Sequence, residues 1–259
     1  MDAELFPRSR TEIAPGAVHV PDWLDAAGQR ALLAACREWA RPPAGLRTVR
    51  TPGGGTMTAR QVCLGRHWYP YGYAPTAVDG DGAPVKPFPA WLGELGRRAV
   101  ADALGTGALG TDGAGGGAPG AEGAGTDAPG AGGVAYDIAL INFYDADARM
   151  GMHRDSDEKS GAPVVSLSLG DTCVFRFGNT ETRARPYTDV ELRSGDLFVF
   201  GGPSRLAYHG VPRVHGGTAP RELGLTGRLN VTLRVSGFQG SSSGSRTERP
   251  PAPDPAHLG

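Results

Sequence analysis

Apolar and polar positions divide the chain into stretches of three kinds. Val18 and Val20 alternate with polar neighbours, as in a short strand. Asp25 is of a type that caps helix N-termini, and apolar positions then recur at helical spacing through Leu32, Leu33, Cys36 and Trp39. A second stripe, Trp91, Leu92, Leu95, Val100 and Leu104, predicts a helix over about 90–104. Between them, residues 40–90 are rich in Gly, Pro and aromatics, including Thr51-Pro52-Gly53-Gly54-Gly55 and the Trp68–Tyr73 cluster, and predict hairpins and long loops. From Ala135 to Gly237 the pattern is that of β-strands. Runs near 136–144, 163–169, 173–177, 188–192, 196–200 and 228–235 are short, rich in Val, Leu, Phe and Ile, and bounded by Gly, Pro or Asp. Two helices followed by many short strands predict a mainly β fold with flanking helices, a double-sheet jelly roll.

Residues 105–133 carry no apolar period. Thirteen of these 29 residues are Gly, with Ala, Thr, Asp and Pro making up most of the rest, so a disordered insertion is expected. A phosphate-binding glycine loop is the rival, but neither a Lys nor a strand-to-helix context accompanies the glycines. The expected organisation is a flexible N-terminal arm over 1–15, an N-terminal extension over 16–104, the insertion over 105–133, a β core over 134–238 and a disordered tail over 239–259. A 39% hydrophobic content supports a real core, and a net charge of −1 requires any nucleic-acid surface to be local. Cys36, Cys63 and Cys173 are scattered, which argues against a disulfide framework or thiolate zinc site and fits a reduced, cytoplasmic protein. The opening Met1-Asp2-Ala3-Glu4 lacks an apolar leader core and no run of 18 apolar residues occurs, so no membrane partner is expected.

Candidate chemistry lies in His153-Arg154-Asp155-Ser156-Asp157. In extended chain His153, Asp155 and Asp157 point the same way, so an imidazole and a carboxylate can share one small cation. His209 follows 54 positions after Asp155. Two His and one carboxylate on one face of an ion form the facial triad of non-haem iron(II) oxygenases, which leaves positions open for co-substrate and oxygen. Alone, either histidine has an ordinary surface or structural role, and Asp157 is an ordinary loop acid. A second pattern changes the balance: Arg228, Asn230, Thr232 and Arg234 share one face of a strand whose other face is Leu229, Val231 and Leu233. That polar face is either solvated or lines a cavity where Arg clamps a carboxylate. Asn142 and Tyr144, of matching parity, add further donors.

Together these residues resemble the AlkB family of 2-oxoglutarate/Fe(II)-dependent alkylated-DNA repair dioxygenases. The likeness is dense over 139–237, through Asn142-Phe143-Tyr144, the His153–Asp157 block, Pro163–Gly170, Phe175–Gly178, Ser194–Asp196, Gly201–Gly210 and Arg228–Arg234. Upstream, Thr51–Gly54, Thr56-Met57, Cys63 and Trp68 resemble the family's nucleotide-recognition lid. The resemblance implies a double-stranded β-helix in which His153, Asp155 and His209 hold Fe(II). It implies that Asn142, Tyr144, Arg228, Asn230 and Arg234 hold 2-oxoglutarate, with O2 as the other co-substrate. It further implies that Trp68 stacks on the extruded base and that Tyr71 and Tyr73 contact the substrate strand. Asp157 then touches the exocyclic nitrogen and Arg183 sits at the pocket edge. The implied activity is oxidative dealkylation of 1-methyladenine and 3-methylcytosine in DNA by a monomer. The same chemistry on RNA, protein or a small molecule is the nearer alternative. A non-enzymatic metal-binding sensor is the more distant one.

Overall fold

The computed structural model describes residues 7–51, 53–109 and 134–238. Fourteen strands and two helices lie within them, in the order β1 Thr11–Ala14, β2 Ala17–Val20, α1 Ala26–Trp39, β3 Arg47–Arg50, β4 Thr56–Leu64, β5 His67–Tyr69, β6 Gly72–Ala74 and α2 Ala90–Leu104. The core follows with β7 Ile138–Tyr144, β8 Met150–His153, β9 Val164–Gly170, β10 Thr172–Phe177, β11 Thr188–Leu192, β12 Leu197–Phe200, β13 His209–His215 and β14 Arg228–Arg234. An eight-stranded sheet, ordered β1-β2-β12-β9-β14-β7-β4-β3, faces a four-stranded sheet ordered β11-β10-β13-β8. Neighbouring strands pair antiparallel throughout both. This is the expected jelly roll with helices packed outside.

Residue alternation explains the layering. On β9, Val165, Leu167 and Leu169 pack towards the helices with Leu229, Val231 and Leu233 of β14. The other face of β9 carries Val164, Ser166 and Ser168 into the space between the sheets. There Phe175 and Phe177 of β10 meet Phe198 and Phe200 of β12. Every residue of β9 is therefore buried, as a central strand covered on both faces requires. Asp25 caps α1, accepting from the Gly28 N–H at 2.7 Å.

Four expectations differ from what is observed. The N-terminal arm expected over 1–15 contains β1 in its described part, and Arg8 is bound to Asp196 at 2.7 Å and 2.8 Å. Trp91, placed on the apolar stripe of α2, is 47% exposed and stacks on Trp39, while Leu92, Ala99 and Val100 make the buried face. Part of the 40–90 region, expected as hairpins and long loops, joins the large sheet through β4 at Thr56–Leu64, which pairs with β7. Thr106–Leu109, at the start of the expected insertion, forms a helical turn. The rest of that segment from 110 to 133, residues 1–6 and the tail over 239–259 lie outside the described residues. None of the described helices is long and apolar enough to cross a membrane.

Gly65 turns the chain from β4 into the β5–β6 hairpin at φ 76°, and a Cβ there would stand 1.9 Å from the Asp137 carbonyl oxygen. Only glycine suits both demands. At the opposite side of the sheet, Asp196 ties the first strands to the core. It accepts from Arg8, His19 and the backbone N–H groups of Asp22 and Arg193. Burial alone would raise its pKa, but the hydrogen bonds from His19 and Arg8 outweigh it and bring it to about 2. A carboxylate depressed from about 3.9 in the unfolded chain contributes roughly 2 kcal/mol above that pH, lost as pH falls towards 2. Acid unfolding followed by circular dichroism should show Asp196→Asn with a shallower dependence of stability on pH between about 4 and 2, by close to one proton.

Candidate metal and co-substrate site

The last residue of β8, His153, lies opposite the first residue of β13, His209. Asp155 follows two positions after His153 and is 5% exposed. One ligand atom from each of the three lies within 4.8 Å of the others, with His153 Nε2 and His209 Nε2 each 3.7 Å from an Asp155 oxygen. Both Nδ1 atoms face backbone carbonyls, of Gly151 and Ala207, at 3.0 Å. A carbonyl can only accept, so Nδ1 carries the proton and Nε2 presents its lone pair to the shared space. Burial lowers the pKa of His209 to about 4 although Asp155 pulls it up, which keeps the ring in its ligating form. Burial raises the pKa of Asp155, but Arg234, His209 and His153 overcome this and bring it to about 2. Asp155 Oδ2 is buried with no hydrogen-bond partner. Two imidazoles around an ionised, under-satisfied carboxylate fit a divalent cation of the iron class.

A pocket joins this triad to β14. Arg228, Asn230, Thr232 and Arg234 all line it, as do Asn142 and Tyr144 from β7. The register explains this, since Arg228 pairs with Tyr144 and Asn230 with Asn142. The two arginines differ sharply. Arg234 is engaged by acids: Nη2 meets Asp155 Oδ1 at 2.7 Å and Nη1 meets Glu158 Oε1 at 2.9 Å. Its guanidinium orients the Asp155 carboxylate. Arg228 is 1% exposed and donates to Ser168 Oγ at 3.0 Å, while its Nε and Nη1 have no partner. A buried cation without an acid is costly, and its open N–H groups are left to donate to a carboxylate that enters the pocket. Asn230 bonds Ser166 and Thr232, and Asn142 accepts from Gln61 at 3.0 Å, so both help to set the pocket's shape.

The residues expected at the substrate lie apart from these walls. The indole N–H of Trp68 donates to Asp157 Oδ2 at 2.8 Å, bringing two of them together. Tyr73 is hydrogen-bonded to Glu158 and accepts from Arg234 at 3.4 Å. Tyr71 sits at the hairpin tip, 83% exposed at φ 70°. Arg183 is exposed, with its guanidinium 5.8 Å from the Tyr208 ring, and Arg154 reaches the same ring at 5.4 Å. Tyr208 precedes the ligand His209, which places these two cations beside the triad.

Sequence reasoning missed Glu158, whose side chain is fully buried between Arg205, Arg234 and Tyr73. Adjacency to Asp157 was its only signal. Arg205 was missed as well; it binds the Asp155 backbone carbonyl at 2.7 Å. The alternation Ser166-Leu167-Ser168-Leu169 was a usable signal for the serine that meets Arg228.

Comparison with known proteins agrees with this geometry. Residues 16–234 match the family model of the 2OG-Fe(II) oxygenase superfamily. The DNA N(6)-methyladenine demethylase ALKBH1D of Arabidopsis thaliana is 32% identical over 234 residues, 86% of this chain and 50% of the relative. An alpha-ketoglutarate-dependent dioxygenase AlkB homolog of Caulobacter vibrioides is 48% identical over 99 residues, 38% of this chain and 44% of the relative. The solved structure of OsALKBH1 superposes with a TM-score of 0.71 at 31% identity, covering 87% of this chain and all of that one. The chain belongs to the 2OG-Fe(II) oxygenase superfamily, and within it to the AlkB family. It spans about half the length of the curated relatives it matches.

The Arg228 site generates a test. Wild-type protein with ferrous iron, without oxygen, should gain roughly 2.7 kcal/mol from 2-oxoglutarate at about 100 times its Kd. For a chain of this size that is a rise in Tm of about 5–10 °C by scanning calorimetry. Arg228→Met should abolish that rise, and the Tm without 2-oxoglutarate should not fall, because the substitution removes an unpaired buried charge.

Proposed function

We propose that this protein is an Fe(II)- and 2-oxoglutarate-dependent dioxygenase that removes N-linked methyl groups from bases in DNA, 1-methyladenine and 3-methylcytosine in particular. The observation that carries the reading is the pairing, in one pocket, of an open His153–Asp155–His209 triad with the partnerless donors of Arg228. Ferrous iron bound with 2-oxoglutarate and O2 supplies the oxidation of the N-methyl carbon, with aldehyde, succinate and CO2 released.

The chain's own residues bind and orient. Arg228, braced by Ser168, receives the far carboxylate of the co-substrate. Arg234 and Arg205 hold Asp155 from two sides, through its carboxylate and its backbone carbonyl. Trp68 offers its ring to a base that has left the stack, and Asp157 beside it supplies a carboxylate. A methylated base carrying positive charge gains from that carboxylate, and the same charge weakens its pairing and lowers the cost of extrusion. This favours 1-methyladenine and 3-methylcytosine. Arg154 and Arg183 flank Tyr208 where a phosphate backbone would approach. The likeness to the Arabidopsis DNA N(6)-methyladenine demethylase favours a second substrate, N6-methyladenine in DNA.

Oligonucleotides carrying each of the three modified bases, as DNA and as RNA, test the reading by mass spectrometry after incubation with iron, 2-oxoglutarate and air. Expected is loss of the methyl group from DNA with equal amounts of formaldehyde and succinate, fastest for the two cationic bases. His153→Ala should reduce turnover to background. Full turnover by that variant, or no demethylation of any oligonucleotide by the wild type, would contradict the proposal.

A further inference from the structure

The β5–β6 hairpin that carries Trp68 has three residues in each strand and, among the described residues, is hydrogen-bonded to no further strand. A two-stranded ribbon of that size is marginal by itself and must be held by something else. Trp68 pairs with Tyr73, but its own backbone N–H and C=O turn away from the ladder. The N–H donates to Cys63 Sγ at 3.3 Å, and the C=O accepts from Arg47 Nη2.

Arg47 is the first residue of β3, and its side chain is 8% exposed. One guanidinium there meets three separate parts of the chain. Nε donates to Asp79 Oδ1 at 2.7 Å, in the loop that follows the hairpin, and His67 Nε2 lies 2.5 Å from that same oxygen. Nη2 donates to the Trp68 carbonyl. Nη1 reaches Gln61 Oε1 at 3.4 Å, and Gln61 in turn donates to Asn142 in the wall of the co-substrate pocket. The planar, five-donor fork of Arg suits such a junction, and the point charge of Lys does not. On the side of the site, Trp68 and Tyr73 are tied to Asp157 and Glu158. Arg47 anchors the hairpin from behind.

We propose that Arg47 is a positioning residue for substrate recognition. It fixes the Trp68 hairpin to the sheet that lines the co-substrate pocket, so that the stacking ring stands at a set distance from the triad. This rests on the reading of Trp68 as the base-stacking residue given above.

The test uses the full chain with Arg47→Ala and the charge-retaining Arg47→Lys. Hydrogen exchange by mass spectrometry needs no substrate. In both variants exchange over 67–74 should accelerate by about tenfold or more, while 138–144 stays as in the wild type. With a methylated oligonucleotide, KM should rise about tenfold and kcat stay within about twofold. Unchanged exchange over 67–74, acceleration shared equally by 138–144, or a loosened hairpin with unchanged KM would each overturn the proposal. Failure of the wild type to demethylate any oligonucleotide would sink the proposed function instead, and the exchange result would still decide whether Arg47 holds the hairpin.

Discussion

A guanidinium that is 1% exposed and faces no acid needs an explanation in any fold. Strand β14 shows how Arg228 comes to be there. Its apolar side is fixed against the helices by Leu229, Val231 and Leu233, so strict alternation drives Arg228, Asn230, Thr232 and Arg234 into the space between the sheets. A register slip of one residue would expose the leucines to the pocket and push two arginines into the helical layer. The whole apolar core thus resists any relaxation that would let Arg228 reach water.

Charge balance inside the pocket then separates the two arginines. Asp155 and Glu158 are matched by Arg234 and Arg205, through ion pairs at 2.7, 2.9 and 3.1 Å. Arg228 is left with only the Ser168 hydroxyl. The triad on the facing sheet presents the complementary deficit, an ionised carboxylate with one oxygen unsatisfied between two imidazole lone pairs. The space between them asks for a cation at one end and a carboxylate at the other. A 2-oxo dicarboxylic acid that chelates the cation satisfies both, and this is why fold, metal and co-substrate belong together here.

Much of this was legible in the sequence wherever alternation is strict and both faces of a strand are specified. The polar face of β14 and the side-by-side placement of His153 and Asp155 fall in that class, and both helices showed through apolar positions at helical spacing. Strand β13 was not legible, because Pro212 and Arg213 interrupt its apolar pattern, and its pairing with β8 shifts register between His209 and Val211. Strand β4 hides in a stretch dominated by Gly, Pro and polar residues, and its membership of the large sheet depends on pairing with β7, some 80 residues away. Trp91 misleads because a stripe counted by hydrophobicity alone ignores that small residues, Gly93, Gly96 and Ala99, give α2 its close approach to the sheet. The roles of Glu158 and Arg47 depend on partners brought together from distant segments, for which no local spacing offers a signal.

The measurement that goes most directly to the centre of this account compares two 2-oxo acids on the anaerobic iron(II) protein. Chelation of either by ferrous iron gives a visible absorbance band, and only 2-oxoglutarate carries the far carboxylate for which Arg228 is the partner; pyruvate does not. A charge-assisted contact worth about 3 kcal/mol predicts that pyruvate needs about a hundredfold higher concentration to produce the band. Equal concentrations for the two acids would contradict the assignment of Arg228, and no band with either would contradict the site as a whole.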